Sequence, residues 1–275
     1  MVQLFWLQIF TSFLIGGGII ALLSYLSEIA PANIKGLIMP FPSTILVSLF
    51  FIAQINGVPD LVSAIPGMGY AFIGSMVYIL SYLLMAQLMS GFVFSIYLKI
   101  FLTWFFSSIF WVIFPILAQW LPREDLFIPF GSLIVCIFLF QPLFIVLSRR
   151  YSVEVQLKPI NVQEMIFRFV FAGTIIAFAV CVSKFSGSFW GAVIGATYPA
   201  AFGSQLMIFQ KKYPAGFIAV VLKMAPFGIF SLIAYSFSVY FFYAWMGIWW
   251  GTLASLVVSL ATAFIVSKVS ARVVR

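Results

Sequence analysis

The sequence contains no histidine and very little charge of any kind. Only 7% of its 275 residues are Asp, Glu, Lys or Arg, whereas soluble domains average about 25%. So few charges cannot cover the surface of a chain of this length in water. The chain also lacks the side chain most often used as a general base and as a metal ligand. We therefore predict no enzyme activity, no catalytic residue, no metal site and no cofactor. A Ser–Lys pair that uses Lys223 is the one catalytic arrangement left open, and nothing in the sequence selects its serine.

Cysteine and buried acid are equally scarce. Cys136 and Cys181 are the only cysteines and lie inside apolar runs, so neither a disulfide nor a Cys/His metal site is indicated. Proton-coupled cation transporters usually carry a carboxylate inside the membrane, which disfavours that class here. The six acidic residues all lie in predicted loops or at helix ends: Glu28, Asp60, Glu124, Asp125, Glu154 and Glu164.

Apolar residues make up 64% of the chain, with 34 Phe and 8 Trp, which is typical of a protein with much lipid-facing surface. A transmembrane helix needs about 20 apolar residues. The fold predicted is an all-α, polytopic membrane helix bundle, because open strands cannot satisfy their backbone groups in hydrocarbon. We expect about nine spans, at roughly 4–27, 34–54, 59–88, 92–119, 126–147, 166–184, 189–209, 214–241 and 245–267.

The net charge of +8 is explained by topology rather than by nucleic-acid binding. With nine spans, one face carries Arg123 and Lys184 only, while Lys99 and Lys223 fall within spans. The positive-inside rule places the basic face in the cytoplasm, so we predict an inner-membrane protein with its N-terminus outside and its C-terminus in the cytoplasm. The basic face carries Lys35, Arg149, Arg150, Lys158, Arg168, Lys211, Lys212, Lys268, Arg272 and Arg275.

An internal repeat divides the chain. Residues 16–27 and 172–183 are identical at five of twelve positions without a gap. Phe41-Pro42 matches Tyr198-Pro199, and Pro66 matches Pro226, where kinks are also expected. We predict a single membrane domain, 1–275, with repeat 1 at about 4–120, a connecting fifth helix at 126–147 and repeat 2 at about 166–267. Five spans separate the starts of the two four-span repeats, so their topologies are inverted, as in many secondary transporters. The alternative is a duplicated structural unit that does not transport.

Each half resembles a known family. The pattern Gly17-x-Ile19-Ile20, then Gly36-Leu37-Ile38-Met39-Pro40-Phe41-Pro42-Ser43, then Ala53 and Gly57, is similar to the GlpM-like family of small four-span inner-membrane proteins. In that family a Gly-Leu-Ile run leads to Phe-Pro-Ser/Thr in the second span. The resemblance covers about residues 13–90 and, more faintly, 166–245. It implies a membrane location and a duplicated unit, but no substrate.

The prolines within spans indicate a candidate site. Proline in a membrane helix frees backbone groups, which are then satisfied by packed protein or face a cavity. Matched interruptions in two halves point to a transporter site, and half-helix N-termini favour anions. A kink that serves only packing is the alternative. The predicted substrate-binding residues of the two interruptions are Pro42, Ser43, Thr44, Thr197, Tyr198, Pro199 and Gln205.

Lys223 completes the predicted site. It lies nine residues after Pro214, or roughly 13 Å into the membrane at 1.5 Å per residue, where an ionisable group suggests function. Its long side chain could also reach back to the surface. We therefore predict a secondary transporter or facilitator of a small anionic or zwitterionic solute, with a non-transporting scaffold or complex subunit, or a channel, as the alternatives. The expected partners are the lipid bilayer and the solute, and a homo-oligomer is compatible with the sequence.

Overall fold

The computed structural model describes residues 2–29, 42–149, 159–223 and 225–273. Every regular element within these ranges is an α-helix, so the predicted all-α class is confirmed. In chain order the helices are α1 Val2–Ile29, α2 Ser43–Asn56, α3 Val58–Ser90, α4 Ile96–Ala118, α5 Phe127–Arg149, α6 Val162–Ser186, α7 Ser188–Thr197, α8 Ala200–Lys212, α9 Ala215–Leu222 and α10 Ala225–Val273.

Seven helical segments in the described ranges are long and apolar enough to cross a membrane. They correspond to α1, α3, α4, α5, α6, the pair α7–α8, and α10. The difference from nine arises at two places. Helix α2 has only 14 residues, since the predicted span 34–54 begins outside the described residues. Helix α10 counts once, although Gly247 interrupts its helical geometry with φ 75° and ψ 177°.

Single glycines replace loops at three of the helix junctions. Gly57 joins α2 to α3, Gly187 joins α6 to α7, and Gly247 divides α10. Their φ angles are 92°, 90° and 75°, and the paired ψ values of 159°, 162° and 177° describe nearly the same conformation. Residues with a Cβ rarely adopt this region. One glycine thus lets the chain reverse between two long helices.

The interior of the bundle is formed by α3 and the pair α7–α8. In the apolar stretch of each helix, 61% of the residues of α3 and 67% of those of α7–α8 are buried, against 17% of those of α10. Helix α3 contacts α4, α5, α7 and α10. The outer helices expose large apolar side chains, such as Phe138, Leu139 and Trp249. These exposed apolar surfaces lie where lipid would contact the bundle, so the arrangement is that of a multi-pass membrane protein.

Helices α1 and α6 pack side by side along most of their length and run antiparallel. Phe5 meets Phe185, with ring centroids 5.8 Å apart, and Phe13 meets Phe169 at 5.4 Å. Residue numbers thus rise on α1 as they fall on α6. Small residues permit this close approach, since a methyl group added at Gly17 would lie 2.6 Å from the carbonyl oxygen of Phe169.

This contact is reciprocal. A methyl group added at Gly173 would lie 2.8 Å from the carbonyl oxygen of Phe13, which mirrors the contact of Gly17 with Phe169. The offset of 156 residues relates Gly17 to Gly173 and also Phe13 to Phe169. Reciprocal contacts of this type are the property of an interface with two-fold symmetry.

The two repeat-matched prolines beyond the site differ in their effects. Helix α3 continues through Pro66 as one element. Helix α9 ends at Leu222 and α10 begins at Ala225, which places Pro226 in a first turn, where a missing N–H has no helical acceptor to lose. The sequence match between the two prolines is therefore not a match in helix geometry.

Candidate functional site at a helix interruption

The central membrane segment of the second half is interrupted at Tyr198 and Pro199. Helix α7 ends at Thr197, and α8 begins at Ala200. Pro199 has φ −79° and ψ 59°, and Pro42, just before α2, has φ −77° and ψ 49°. The prolines predicted to be equivalent therefore share one backbone conformation, and each directly precedes a helix.

Tyr198 is the polar centre of this interruption. Only 6% of it is exposed. Its hydroxyl oxygen accepts a hydrogen bond from Trp104 Nε1 at 2.7 Å and lies 3.0 Å from Ser108 Oγ. The ring packs edge-on against Trp111, with centroids 5.0 Å apart, and against Tyr78 at 5.8 Å. Helices α3 and α4 thus enclose the tyrosine.

A second set of hydrogen bonds holds α8 against the same two helices. The Tyr82 hydroxyl donates to Gln210 Oε1 at 2.7 Å, and Gln210 Nε2 donates to Thr103 Oγ1 at 3.1 Å. At the end of α7, the Ser75 hydroxyl donates to the carbonyl oxygen of Thr197. Buried polar groups are costly unless they are hydrogen-bonded. Hydrogen bonds between helices concentrate in this part of the bundle.

Two polar groups beside this network have no partner. The Tyr78 hydroxyl and Trp111 Nε1 are buried and make no hydrogen bond among the described residues. A methyl group added at Gly203 would lie 2.8 Å from the Tyr78 hydroxyl, so α8 approaches α3 closely at this point. Buried donors without acceptors are unusual in proteins, and a bound solute or water would satisfy them.

Arg168 adds a buried cation that sequence reasoning placed in a cytoplasmic loop. It lies in the second turn of α6 and is 7% exposed. Its Nη2 donates to the carbonyl oxygen of Ala201, in the first turn of α8, at 3.3 Å, and its Nε has no partner. The signal was present in the sequence, because Arg168 falls inside the predicted span 166–184.

A polar cleft of about 790 Å³ opens at the start of α3 and of α7. This is the end of the bundle opposite to Arg168. Beneath the cleft, Asn56 joins the helix pair α2–α3 to the pair α6–α7, since its Nδ2 donates to Ser183 O at 2.8 Å and to Ser188 Oγ at 2.9 Å. Arg123 stacks on the Phe189 ring, 4.5 Å from its centroid. The charged residues of the cleft are Asp60, Arg123, Glu124 and Lys184, which are four of the five charged residues on the predicted outer face.

The structure brings together only some of the predicted site residues. Thr197, Tyr198 and Pro199 form the interruption, and Gln205 follows on α8, half-buried. Ser43 is buried and Thr44 half-buried in the first turn of α2. Helix α2 meets α7 closely, where a methyl group at Gly195 would touch Ser48, and Ser48 Oγ is buried without a partner.

Lys223 is placed on a different part of the bundle. It caps the end of α9, and its backbone carbonyl accepts a hydrogen bond from Gln141 Nε2 of α5 at 2.9 Å. Its side chain is half-buried. The contact ties α9 to the connecting helix, whereas Tyr198 contacts α3 and α4.

The chain is therefore a multi-pass membrane protein built as an apolar helical bundle. Within the described ranges, no three His, Cys, Asp or Glu side chains lie close enough to hold a metal ion. Comparison with family models, curated proteins and solved structures finds no match to the chain.

Proposed function

We propose that the chain is a secondary transporter or facilitator of a small anionic or zwitterionic solute. The observation that carries this proposal is the interruption at Tyr198 and Pro199, which sits inside a membrane bundle and is lined by buried polar groups. Non-helical backbone at membrane depth is tolerated where it is buried in protein or lines a cavity. Interrupted helices of this kind hold the substrate in several transporter folds.

Inverted repeats are part of the proposal. The reciprocal contact of Gly17 with Phe169 and of Gly173 with Phe13 supports a two-fold relation between α1 and α6. Because these helices run antiparallel, equivalent segments of the two halves point in opposite directions. The matched conformations of Pro42 and Pro199 extend the same relation to the second segment of each repeat.

The antiparallel pair also supports nine spans. The chain between two antiparallel spanning helices must cross the membrane an even number of times. Helices α3, α4 and α5 supply three crossings, so α2 belongs to a fourth. After α6, the crossings are α7–α8, then α9 with residues 225–246, then residues 248–273. This gives nine in total and leaves the connecting role to α5.

The proposed orientation follows the charges. Lys211 and Lys212 lie at the end of α8, while the outer cleft contains Arg123 and Lys184. The positive-inside rule places Lys211, Lys212 and the C-terminus on the cytoplasmic side. The membrane proposed is the inner membrane. We retain the resemblance of each half to GlpM-like proteins as part of this proposal, since it implies the same membrane and the same repeat.

A path for the solute follows from this orientation. The outer cleft lies at the start of α7, and Tyr198 lies ten residues further on, or about 15 Å deeper. Between them α3 and α7 are closed by the bond from Ser75 to Thr197. On the cytoplasmic side, Lys212 Nζ lies 2.6 Å from Glu164 Oε2 and joins α8 to α6. The cleft is open to the outside, while the route to Tyr198 is closed on both sides, as in an occluded state.

A non-transporting scaffold remains the second candidate, and one observation favours it. Helix contacts at Gly173, Gly195 and Gly203 are so close that an added methyl group would clash, as expected for a bundle selected for tight packing. Such a protein would keep the interruption shielded from water on both sides.

Cysteine accessibility separates the two candidates without knowledge of the substrate. Ala200→Cys, placed after the interruption in a Cys136→Ala, Cys181→Ala background, should react with a water-soluble thiol reagent, because a transporter admits water to its site. Ile176→Cys, in the α1–α6 contact, is the unreactive control, and exposed Ser186→Cys is the reactive one. If Ala200→Cys stays unreactive from both sides while the controls behave, the scaffold is correct.

A further inference from the structure

Among the residues that the structure describes, Arg168 has none of the counter-ions that a buried guanidinium requires. Moving a cation out of water is costly unless a charge or several acceptors replace the water. Arg168 donates one long hydrogen bond of 3.3 Å, from Nη2 to the Ala201 carbonyl, and its Nε is unpaired. That carbonyl is also shared, since the Ser204 hydroxyl donates to it at 2.8 Å.

No acidic side chain that the structure describes neutralises Arg168. Glu164, one turn earlier on α6, is bound by Lys212 at 2.6 Å and accepts a further bond from the Asn161 amide. Asp60, Glu124 and Asp125 lie at the opposite end of the bundle, near the outer cleft, where Lys184 marks the other end of α6. Lys184 is 16 residues from Arg168, or about 24 Å along the helix.

The N-terminus of α8 makes the local field more positive still. The guanidinium contacts residue 201, and α8 begins at Ala200. A helix N-terminus carries about half a positive charge, and its first-turn N–H groups have no acceptor within the helix. In α8 the N–H of Ala200 already donates to the Tyr198 carbonyl at 2.8 Å, so Ala201 and Phe202 supply the remaining first-turn N–H groups. A cation beside this end is repelled, whereas an anion would be attracted by both.

We propose that Arg168 and the first turn of α8 bind the carboxylate of a small monoanionic solute. That this site lies on a transport pathway rests on the proposed function. The binding of an anion does not. Burying a single negative charge costs less desolvation than burying the one and a half to two of a phosphate monoester, so a buried site with one guanidinium favours a monoanion. The planar guanidinium suits a carboxylate, which accepts two parallel hydrogen bonds.

The surroundings indicate what the rest of the solute contacts. Phe171, one turn after Arg168, packs edge-on against Trp104, with centroids 6.1 Å apart, and Trp104 donates to Tyr198. Aromatic side chains of α6 and α4 therefore lie beside the cation and the interruption. An aromatic or aliphatic carboxylate would pair with Arg168 and place its apolar part against these rings.

Binding is tested on the full-length protein in a neutral detergent, by thermal unfolding with sodium benzoate, acetate, phosphate or chloride at constant ionic strength. We expect benzoate to raise the Tm, acetate to raise it less, and phosphate and chloride to have little effect. Arg168→Gln should weaken benzoate binding at least tenfold, and Arg168→Lys should weaken it less. Lys268→Gln removes an exposed cation from α10, away from the cleft, and should bind benzoate as the unchanged protein does.

The ligand-free Tm separates binding from a merely structural role. If Arg168 is an uncompensated cation that awaits an anion, Arg168→Gln keeps or raises the Tm without ligand and loses the benzoate shift. A lower Tm combined with an intact benzoate shift would overturn the proposal. Equal stabilisation by chloride or phosphate, or no shift with either carboxylate, would overturn it as well.

The two proposals fail in different ways. Benzoate binding that depends on Arg168, with Ala200→Cys reached by the reagent from one side of the membrane only, would leave the anion site standing and remove transport. An accessible Ala200→Cys without any carboxylate binding would leave a transporter whose solute is recognised elsewhere.

Discussion

Single glycines set how closely the two halves of the bundle approach each other. Gly17→Ala and Gly173→Ala each place a methyl group under 3 Å from a backbone carbonyl of the facing helix. Backbone cannot move aside as a side-chain tip can, so we expect each variant to lose about 1–3 kcal/mol of stability, the usual cost of overpacking. Thermal unfolding in detergent measures the loss.

Gly18 provides the matched control for this prediction. It lies next to Gly17 on α1, and no atom lies within 4 Å of an added methyl group. Gly18→Ala should be neutral or stabilising by up to about 1 kcal/mol, because alanine favours the helix. Equal destabilisation at positions 17 and 18 would mean that helix contact does not decide the outcome.

The Tyr198 hydroxyl provides a second test at this scale. In Tyr198→Phe the indole N–H of Trp104 loses its acceptor. Hydrogen bonds between membrane helices are worth about 0.6–2 kcal/mol, so the Tm should fall by a corresponding amount. Tyr25→Phe, at an exposed position on α1, should leave the Tm unchanged. In a double-mutant cycle, Trp104→Phe should add less to Tyr198→Phe than it costs alone, and full additivity would exclude the bond.

The sequence showed which residues belong to the candidate site better than it showed which residues they contact. Tyr198 and Pro199 stand out locally, because a proline inside an apolar run is visible without any structure. The contacts of Tyr198 with Trp104 and of Gln210 with Tyr82 join positions 94 and 128 residues apart, which periodicity cannot reveal. Arg168 was misplaced because it lies near the end of its span, where basic residues usually mark a loop.

At the scale of elements, the conformation of Gly247 separates two helices within α10. With φ 75° and ψ 177°, it occupies a region that costs other residues about 1–3 kcal/mol. Gly247→Ala should therefore lower the Tm. Gly91, at the end of α3, has φ −77°, so Gly91→Ala should be tolerated. A harmless Gly247→Ala would mean that α10 is one continuous helix.

The spans and the boundaries between them were predictable from hydropathy, but one division within a span was not. The predicted spans at 59–88, 92–119 and 126–147 correspond to α3, α4 and α5. The predicted boundary near 241–245 corresponds to a turn at Gly247 that leaves no non-helical loop. The break between Leu222 and Ala225, inside the predicted span 214–241, was not predicted, because the residues on both sides remain helical and apolar.

The antiparallel pairing of α1 and α6 can be tested by cross-linking. In the cysteine-free background, Phe5→Cys and Phe185→Cys should be joined by a short bismaleimide, because their rings lie 5.8 Å apart. Phe5→Cys with Val162→Cys is the control, since residues 162 and 185 are separated by about 35 Å of helix. Cross-linking of the control pair instead would show parallel helices and remove the inverted repeat.

At the scale of the whole molecule, charge and packing describe the same direction across the membrane. The outer cleft collects nearly all charge of one face, whereas the salt bridge of Lys212 with Glu164 closes the other. The proposed repeat would place an interrupted or capped segment in each half, at Pro42 and Pro199. In the proposed transporter, a solute that enters the cleft would meet the polar interruption first and the buried cation Arg168 second.

The last prediction concerns the number of crossings, and single cysteines test it. If α2 belongs to a crossing, six spans precede Ser186, so Ser186→Cys and Gln3→Cys lie on the same side. Without that crossing, five spans precede it and the two lie on opposite sides. In intact cells an impermeant maleimide should label both, while Lys211→Cys should react only after permeabilisation, because the basic face is cytoplasmic. Labelling of Lys211→Cys alone would keep the count and reverse the orientation. Labelling of Gln3→Cys without Ser186→Cys would remove the crossing of α2 and with it the even spacing that inverted repeats require.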